Sequence, residues 1–98
     1  MHKLAPLVVL LLVSCAIPET MRDQHNVSWV KSRREVNKEA WVYHIIPKDR
    51  MASFCMTSKN LACAWVASPY VQCDIYLPIG FTEYMKWHEE MHCKGWTH

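Results

Sequence analysis

Glycine is scarce in this chain, with two residues in 98, at positions 80 and 95. That excludes a glycine-rich phosphate cradle and marks each glycine as a specific turn. Charge of one sign is also lacking. Eleven Lys and Arg stand against nine Asp and Glu, a formal net charge of +2, too little to point to nucleic acid as a partner. The one basic cluster, Lys31, Arg33 and Arg34, is followed closely by Glu35, Lys38 and Glu39 and reads as a solvated face. No apolar run reaches the roughly 18–20 residues of a membrane-spanning helix. No internal repeat is present.

What is present starts with a basic opening, His2 and Lys3, that leads into an apolar run from Leu4 to Val13. This suits the core of a signal peptide. The run ends in Leu12-Val13-Ser14-Cys15, which resembles the bacterial lipobox. The resemblance implies cleavage before Cys15 and lipid attachment to its sulfur, and acylation of this kind gives stable membrane anchoring. Residues 1–14 are then a lipoprotein signal peptide, 15–28 the lipidated Cys and a polar tether, and 29–98 the working domain. The residue after Cys15 is Ala16, not Asp. By resemblance to Gram-negative sorting, that favours an outer-membrane anchor facing the periplasm.

A domain this small needs staples. Four cysteines remain once Cys15 is set aside, namely Cys55, Cys63, Cys73 and Cys93. An even number in an exported chain reads as two disulfides, with three possible pairings. Cys63–Cys73 is favoured, because a turn at Ser68-Pro69 sets them opposite one another on a hairpin. Cys55–Cys93 then ties an earlier loop to the last helix. The competing role for Cys93 is a thiolate ligand, but neighbours on a helix point about 100° apart, so Cys93 and His92 seldom reach one metal.

Residues 29–40 leave helix and irregular arm both open. Trp41 to Ile46 is rich in aromatic and β-branched residues and predicts a strand stopped by Pro47. Leu61 to Ala67 and Val71 to Leu77 predict two more, joined through Ser68-Pro69. Phe81 or Thr82 through Lys94 predicts a helix, with Phe81, Tyr84, Met85 and Met91 near helical spacing. The expected fold class is α+β: a small antiparallel sheet of about three strands packed on one long C-terminal helix. A sheet edge beside that helix offers a place for an extended peptide to add as a strand.

The strongest signal is residues 88–98, His-Glu-Glu-Met-His-Cys-Lys-Gly-Trp-Thr-His. His88 and His92 are four apart and share a helix face, so two imidazoles can hold one ion. Glu89 follows the first ligand, where a carboxylate can act as base toward water. Gly95 permits a left-handed turn that ends the helix and brings His98 back. With every fixed position of H-E-x-x-H-x-x-G-x-x-H filled, the segment resembles the metzincin clan of zinc endopeptidases. The resemblance implies Zn2+ on His88, His92 and His98, with Glu89 as general base for a zinc-activated water attacking an amide bond. It implies a zincin-like minimal core and a peptide or envelope protein as substrate or partner. The alternative is a catalytically inert, zinc-stabilised binding lipoprotein. The span from Trp41 also resembles small proteobacterial and phage-encoded lipoproteins, through its cysteine spacing, its Cys-x-Ile-Tyr strand and its His-Glu-x-x-His-Cys helix ending in Gly-Trp-x-His. Metzincins carry a methionine turn beneath the metal, downstream of the third His, and none of the six Met residues here takes that role from the sequence. Tyr43, His44 and Tyr84 are candidates for a second electrophile.

Overall fold

The computed structural model describes residues 19–56 and 61–98. The expected signal peptide over 1–14 and the expected lipidation of Cys15 fall outside the described residues. Two sheets of three strands each are present. The first is built from β1 (Thr20–Arg22), β2 (Ser28–Lys31) and β6 (Trp96–Thr97), in the order β1-β2-β6, antiparallel throughout. The second contains β3 (Trp41–Ile46), β4 (Cys63–Ala67) and β5 (Gln72–Pro78), in the order β3-β5-β4. A five-residue helix α1 (Met51–Cys55) follows β3, and the eleven-residue α2 (Glu83–Cys93) follows β5. Among the described residues no helix is long and apolar enough to cross a membrane.

The expected fold is therefore corrected. There is no single antiparallel sheet under one long helix. The second sheet is mixed, because β5 pairs parallel with β3 and antiparallel with β4. The segments expected as strands do pair, but strand direction is not written in side-chain alternation. It is set by connectivity: β5 returns from the β4 hairpin into the central position, and β3 joins its far side. Central placement also explains why Cys73, Ile75 and Leu77 are fully buried. The helix is short because both ends are marked. Thr82 caps its start, its Oγ1 accepting from the Met85 N–H at 3.1 Å, and Gly95 ends the turn at φ +97°.

The part of the expected 15–28 tether that is described, from residue 19 on, is not a plain polar linker. Thr20–Arg22 pairs with Ser28–Lys31, so the chain is already in a hairpin before residue 29. The Asp23 carboxylate organises the connection, accepting from the His25 N–H at 2.7 Å and the Val27 N–H at 3.1 Å. That is an Asx-type turn, the usual use of an Asp at this place.

The disulfide pairing differs from the expected one in both bonds. Cys55 is joined to Cys63 and Cys73 to Cys93. In the hairpin, Cys63 stands opposite Tyr76 and Cys73 opposite Val66. The connecting loop is longer than a turn centred on Ser68-Pro69, which displaces the register by three positions. An odd displacement puts the two cysteines on opposite sheet faces. Cys73 then faces α2 and meets Cys93, which is accordingly no metal ligand, and Cys63 faces α1 and meets Cys55.

The main core consists of Val36, Trp41, Cys73, Ile75, Leu77 and Cys93, with Phe81, before the helix, and Met85, within it, packed on it. The Cys73–Cys93 bond sits inside that core, both residues fully buried. Replacing both with Ala is expected to cost about 2–5 kcal/mol and to lower the melting temperature by at least roughly 10 °C. Thermal denaturation followed by circular dichroism measures this. A drop of only a degree or two would show that the bond adds little to the packing around it.

Candidate metal centre

α2 carries the site, and two surfaces hold α2. Met85 and Cys93 pack on the second sheet. Glu89 lies one helical turn from each and is itself buried, 6% exposed. His88 and His92 turn toward Trp29 of β2, whose ring centroid lies 4.7 Å from His88, 5.3 Å from His92 and 5.0 Å from His98. Trp29 is fully buried. It gives the three imidazoles a buried apolar floor.

His98 arrives through Gly95. The Gly95 carbonyl accepts from the N–H groups of Ser32 and Arg33 at 3.0 and 3.2 Å. A Cβ on Gly95 would stand 2.1 Å from the Arg33 carbonyl oxygen, so only glycine admits this approach as well as the left-handed turn. β6 then pairs with β2, Thr97 opposite Val30, and His98 follows one residue later.

The donor atoms of His88, His92 and His98 all lie within 4.8 Å of one another. The His88 and His98 Nε2 atoms are 3.1 Å apart. Two nitrogens on one tetrahedral ion, each at about 2.0–2.1 Å, stand about 3.4 Å apart, so the spacing fits a shared ion. Tautomers support the fit. His92 Nδ1 lies 3.0 Å from the Trp96 carbonyl. A carbonyl only accepts, so Nδ1 carries the proton and Nε2 keeps its lone pair. His88 Nδ1 is 3.4 Å from the Tyr84 hydroxyl, and that hydroxyl donates to Asp23 Oδ2 at 2.9 Å. Its oxygen is left to receive the Nδ1 proton, and Nε2 of His88 again faces the cluster. The chain His88–Tyr84–Asp23 is the kind of outer support that fixes ligand histidines. The three residues can hold a metal ion.

The electrostatics agree. Burial pushes His88 down from its ordinary value, and the neighbouring His98 adds to the shift. Burial likewise pushes His92 down to about 4, against a smaller upward effect of its bond to Trp96. Both rings therefore stay neutral near pH 7, the form that binds metal. Burial acts upward on Asp23, but hydrogen bonds from Trp29, Val27, Tyr84 and His25 outweigh it and hold the carboxyl well below the usual carboxylate range. Burial and the adjacent Asp23 raise Tyr84 to about 12, so it stays a hydroxyl. Glu89 is raised to about 7 by burial alone.

The histidines and Glu89 open on a cleft of about 360 Å³, bordered by β4 from Cys63 to Val66 and by Arg33. The other electrophile candidates lie elsewhere. The Tyr43 hydroxyl donates to Glu90, and His44 pairs with Asp74 at 2.9 Å and stacks on Tyr76. Tyr84 stands behind His88 as its support. Asp23 and Trp29 were not expected at the site from the sequence, and Arg33 was expected only as part of a solvated face. Asp-Gln-His-Asn signals a turn, but nothing local ties it, Trp29 or Arg33 to a motif some 60 positions later.

No family model, curated protein or solved structure matches this chain.

Proposed function

We propose that the protein is a zinc-dependent peptidase-like hydrolase of the cell envelope, tied to the outer membrane by lipid on Cys15 and facing the periplasm. One observation carries the reading: three histidine nitrogens converge on an open cleft, and a buried carboxylate with no cationic partner among the described residues stands beside the first of them. Three imidazole ligands suit zinc and leave a position open, as catalytic rather than structural sites do. The resemblance of residues 88–98 to the metzincin pattern points the same way.

Zinc, when bound, supplies a Lewis acid that polarises a carbonyl and makes water easier to deprotonate. Glu89 takes the proton of the attacking water and delivers it to the leaving amine, a role that favours a pKa near neutrality. His88, His92 and His98 hold the ion, and Trp29 and the Asp23–Tyr84 pair keep the rings in place. β4 lies at the edge of its sheet and borders the cleft, so a peptide can pair with its backbone and lie along the site.

The test is a peptide-library cleavage screen on the full-length protein, stripped of metal and then restored with one equivalent of zinc. Hydrolysis that disappears on chelation and returns with zinc is expected. A zinc-loaded protein that cleaves no peptide in the library sinks the reading. A second reading rests on the place of His98, one residue past β6. An ion on all three histidines would clamp the first sheet to α2, so a zinc-stabilised binding lipoprotein would use the same ligands without chemistry.

A further inference from the structure

We propose that Arg33 determines what this cleft accepts, by pairing with a carboxylate on the bound peptide. The inference rests on the peptidase reading above and names its substrate class: peptides with a carboxylate close to the amide held at the histidine cluster.

Three basic residues leave β2 together, and the structure uses them differently. The Lys31 Nζ donates to the Lys94 carbonyl and lies over the Trp96 ring. Arg34 donates to the Pro69 carbonyl at 2.9 Å and stacks on Tyr70. Both cations are occupied in joining segments of the fold. Arg33 also borders the metal cleft, yet among the described residues its guanidinium makes no hydrogen bond or ion pair.

Its placement is nonetheless fixed. The Arg33 N–H donates to the Gly95 carbonyl at 3.2 Å, and the missing Cβ of Gly95 lets the Arg33 backbone lie against the turn that delivers His98. The arginine and the third histidine are therefore set by one contact. Among the described side chains that line the cleft, Glu89 carries the one carboxylate, and it is buried. An exposed guanidinium beside three metal-holding histidines makes one side of the cleft electropositive, which attracts an anion. The planar fork of arginine matches a carboxylate with two parallel hydrogen bonds, a geometry that lysine lacks.

The carboxylate can be a peptide's own C-terminus or an Asp or Glu side chain, and binding distinguishes them. Calorimetric titrations use the full-length, zinc-loaded protein in the Glu89→Gln background, which removes turnover. The probes are N-acetyl-trialanine as free acid, the same peptide as amide, and an amidated form with Glu as its last residue. The free acid is expected to bind roughly 10- to 100-fold more tightly than the amide, the range of a charge-assisted pair. Arg33→Ala removes that preference and Arg33→Lys keeps part of it. The side chain of Arg33 is exposed, so both variants fold, and melting curves check this. Recovery of affinity by the glutamyl amide assigns the pairing to a side-chain carboxylate; no recovery assigns it to the C-terminus. Acid and amide binding alike, neither binding, or a preference that survives Arg33→Ala overturns the proposal. Hydrolysis with Glu89 intact tests the peptidase reading separately, so either can fail alone.

Discussion

Glu89→Gln is expected to lower peptide hydrolysis by about 10²- to 10⁴-fold, the range for loss of a positioned general base, while metal content stays at that of the unsubstituted protein. The carboxylate is not among the three converging donors, and Gln preserves its size. The same substitution is expected to stabilise the metal-free protein at alkaline pH. Burial raises Glu89 to about 7 in the folded chain, from 4.5. A carboxyl whose folded pKa lies above its unfolded one contributes fully below pH 4.5, and that contribution is lost as pH rises through 7. The loss comes to about 3 kcal/mol. His92 acts in the opposite sense. Its folded value is about 4, below the ordinary 6.5, so its contribution is present above 6.5 and lost as pH falls toward 4. The two slopes oppose one another in the wild type, and the difference between wild type and Glu89→Gln isolates the carboxylate. Melting temperatures of the metal-free proteins from pH 4 to 8, beside zinc-loaded hydrolysis rates, measure both effects. Activity lost and stability gained together mark a residue kept for chemistry at a structural cost. If hydrolysis survives Glu89→Gln, Glu89 is not the base. If both curves coincide at pH 8, the carboxylate is not held in a desolvated place.

The local half of the site was legible in sequence and the remote half was not. His88 and His92 come together through helical periodicity, and Gly95 marks its own turn, so an eleven-residue window suffices for the three histidines and Glu89. Trp41–Ile46 and the two later strands were legible from β-branched and aromatic runs. The direction of β3 against β5 was not, because side-chain alternation is the same for parallel and antiparallel neighbours. The disulfides depended on a loop length, and a three-position displacement of the β4–β5 register was enough to exchange partners. Trp29, Asp23 and Arg33 reach the histidines from the other end of the described chain. Contacts at that separation leave no spacing pattern in either segment. The basic cluster read as one solvated face because charge density alone does not tell a guanidinium bound to a carbonyl from one facing a cleft.

Trp29→Ala is expected to be the most damaging single change in the domain. The side chain is fully buried, packs edge-on against Trp87 at 5.8 Å, and lies beneath all three histidines. Its Nε1–H donates to Asp23 Oδ2 at 3.0 Å. Truncating a buried Trp costs about 3–5 kcal/mol, and losing a hydrogen bond to a charged acceptor costs about 1.5–3 kcal/mol where it is not replaced. A domain of this size has about 4–12 kcal/mol in all, so the metal-free variant is expected to be largely unfolded at 37 °C. Metal binds only the folded form and therefore restores part of the loss by mass action, but with an affinity lowered about 10- to 100-fold, as when other supports of ligand histidines are removed. Trp29→Phe keeps a smaller aromatic floor while deleting the indole N–H and part of the ring's area, so it should retain most of the metal affinity. Calorimetric melts with and without metal, paired with metal titrations of the three proteins, separate floor from hydrogen bond. Equal losses in Ala and Phe variants would place the effect in the Asp23 bond. A melt for Trp29→Ala within about 1 kcal/mol of wild type would mean that the ring does not carry the site. The expected order, Ala far below Phe and Phe slightly below Trp, follows because the histidines rest on the ring's area, whereas the bond to Asp23 reaches His88 only through Tyr84.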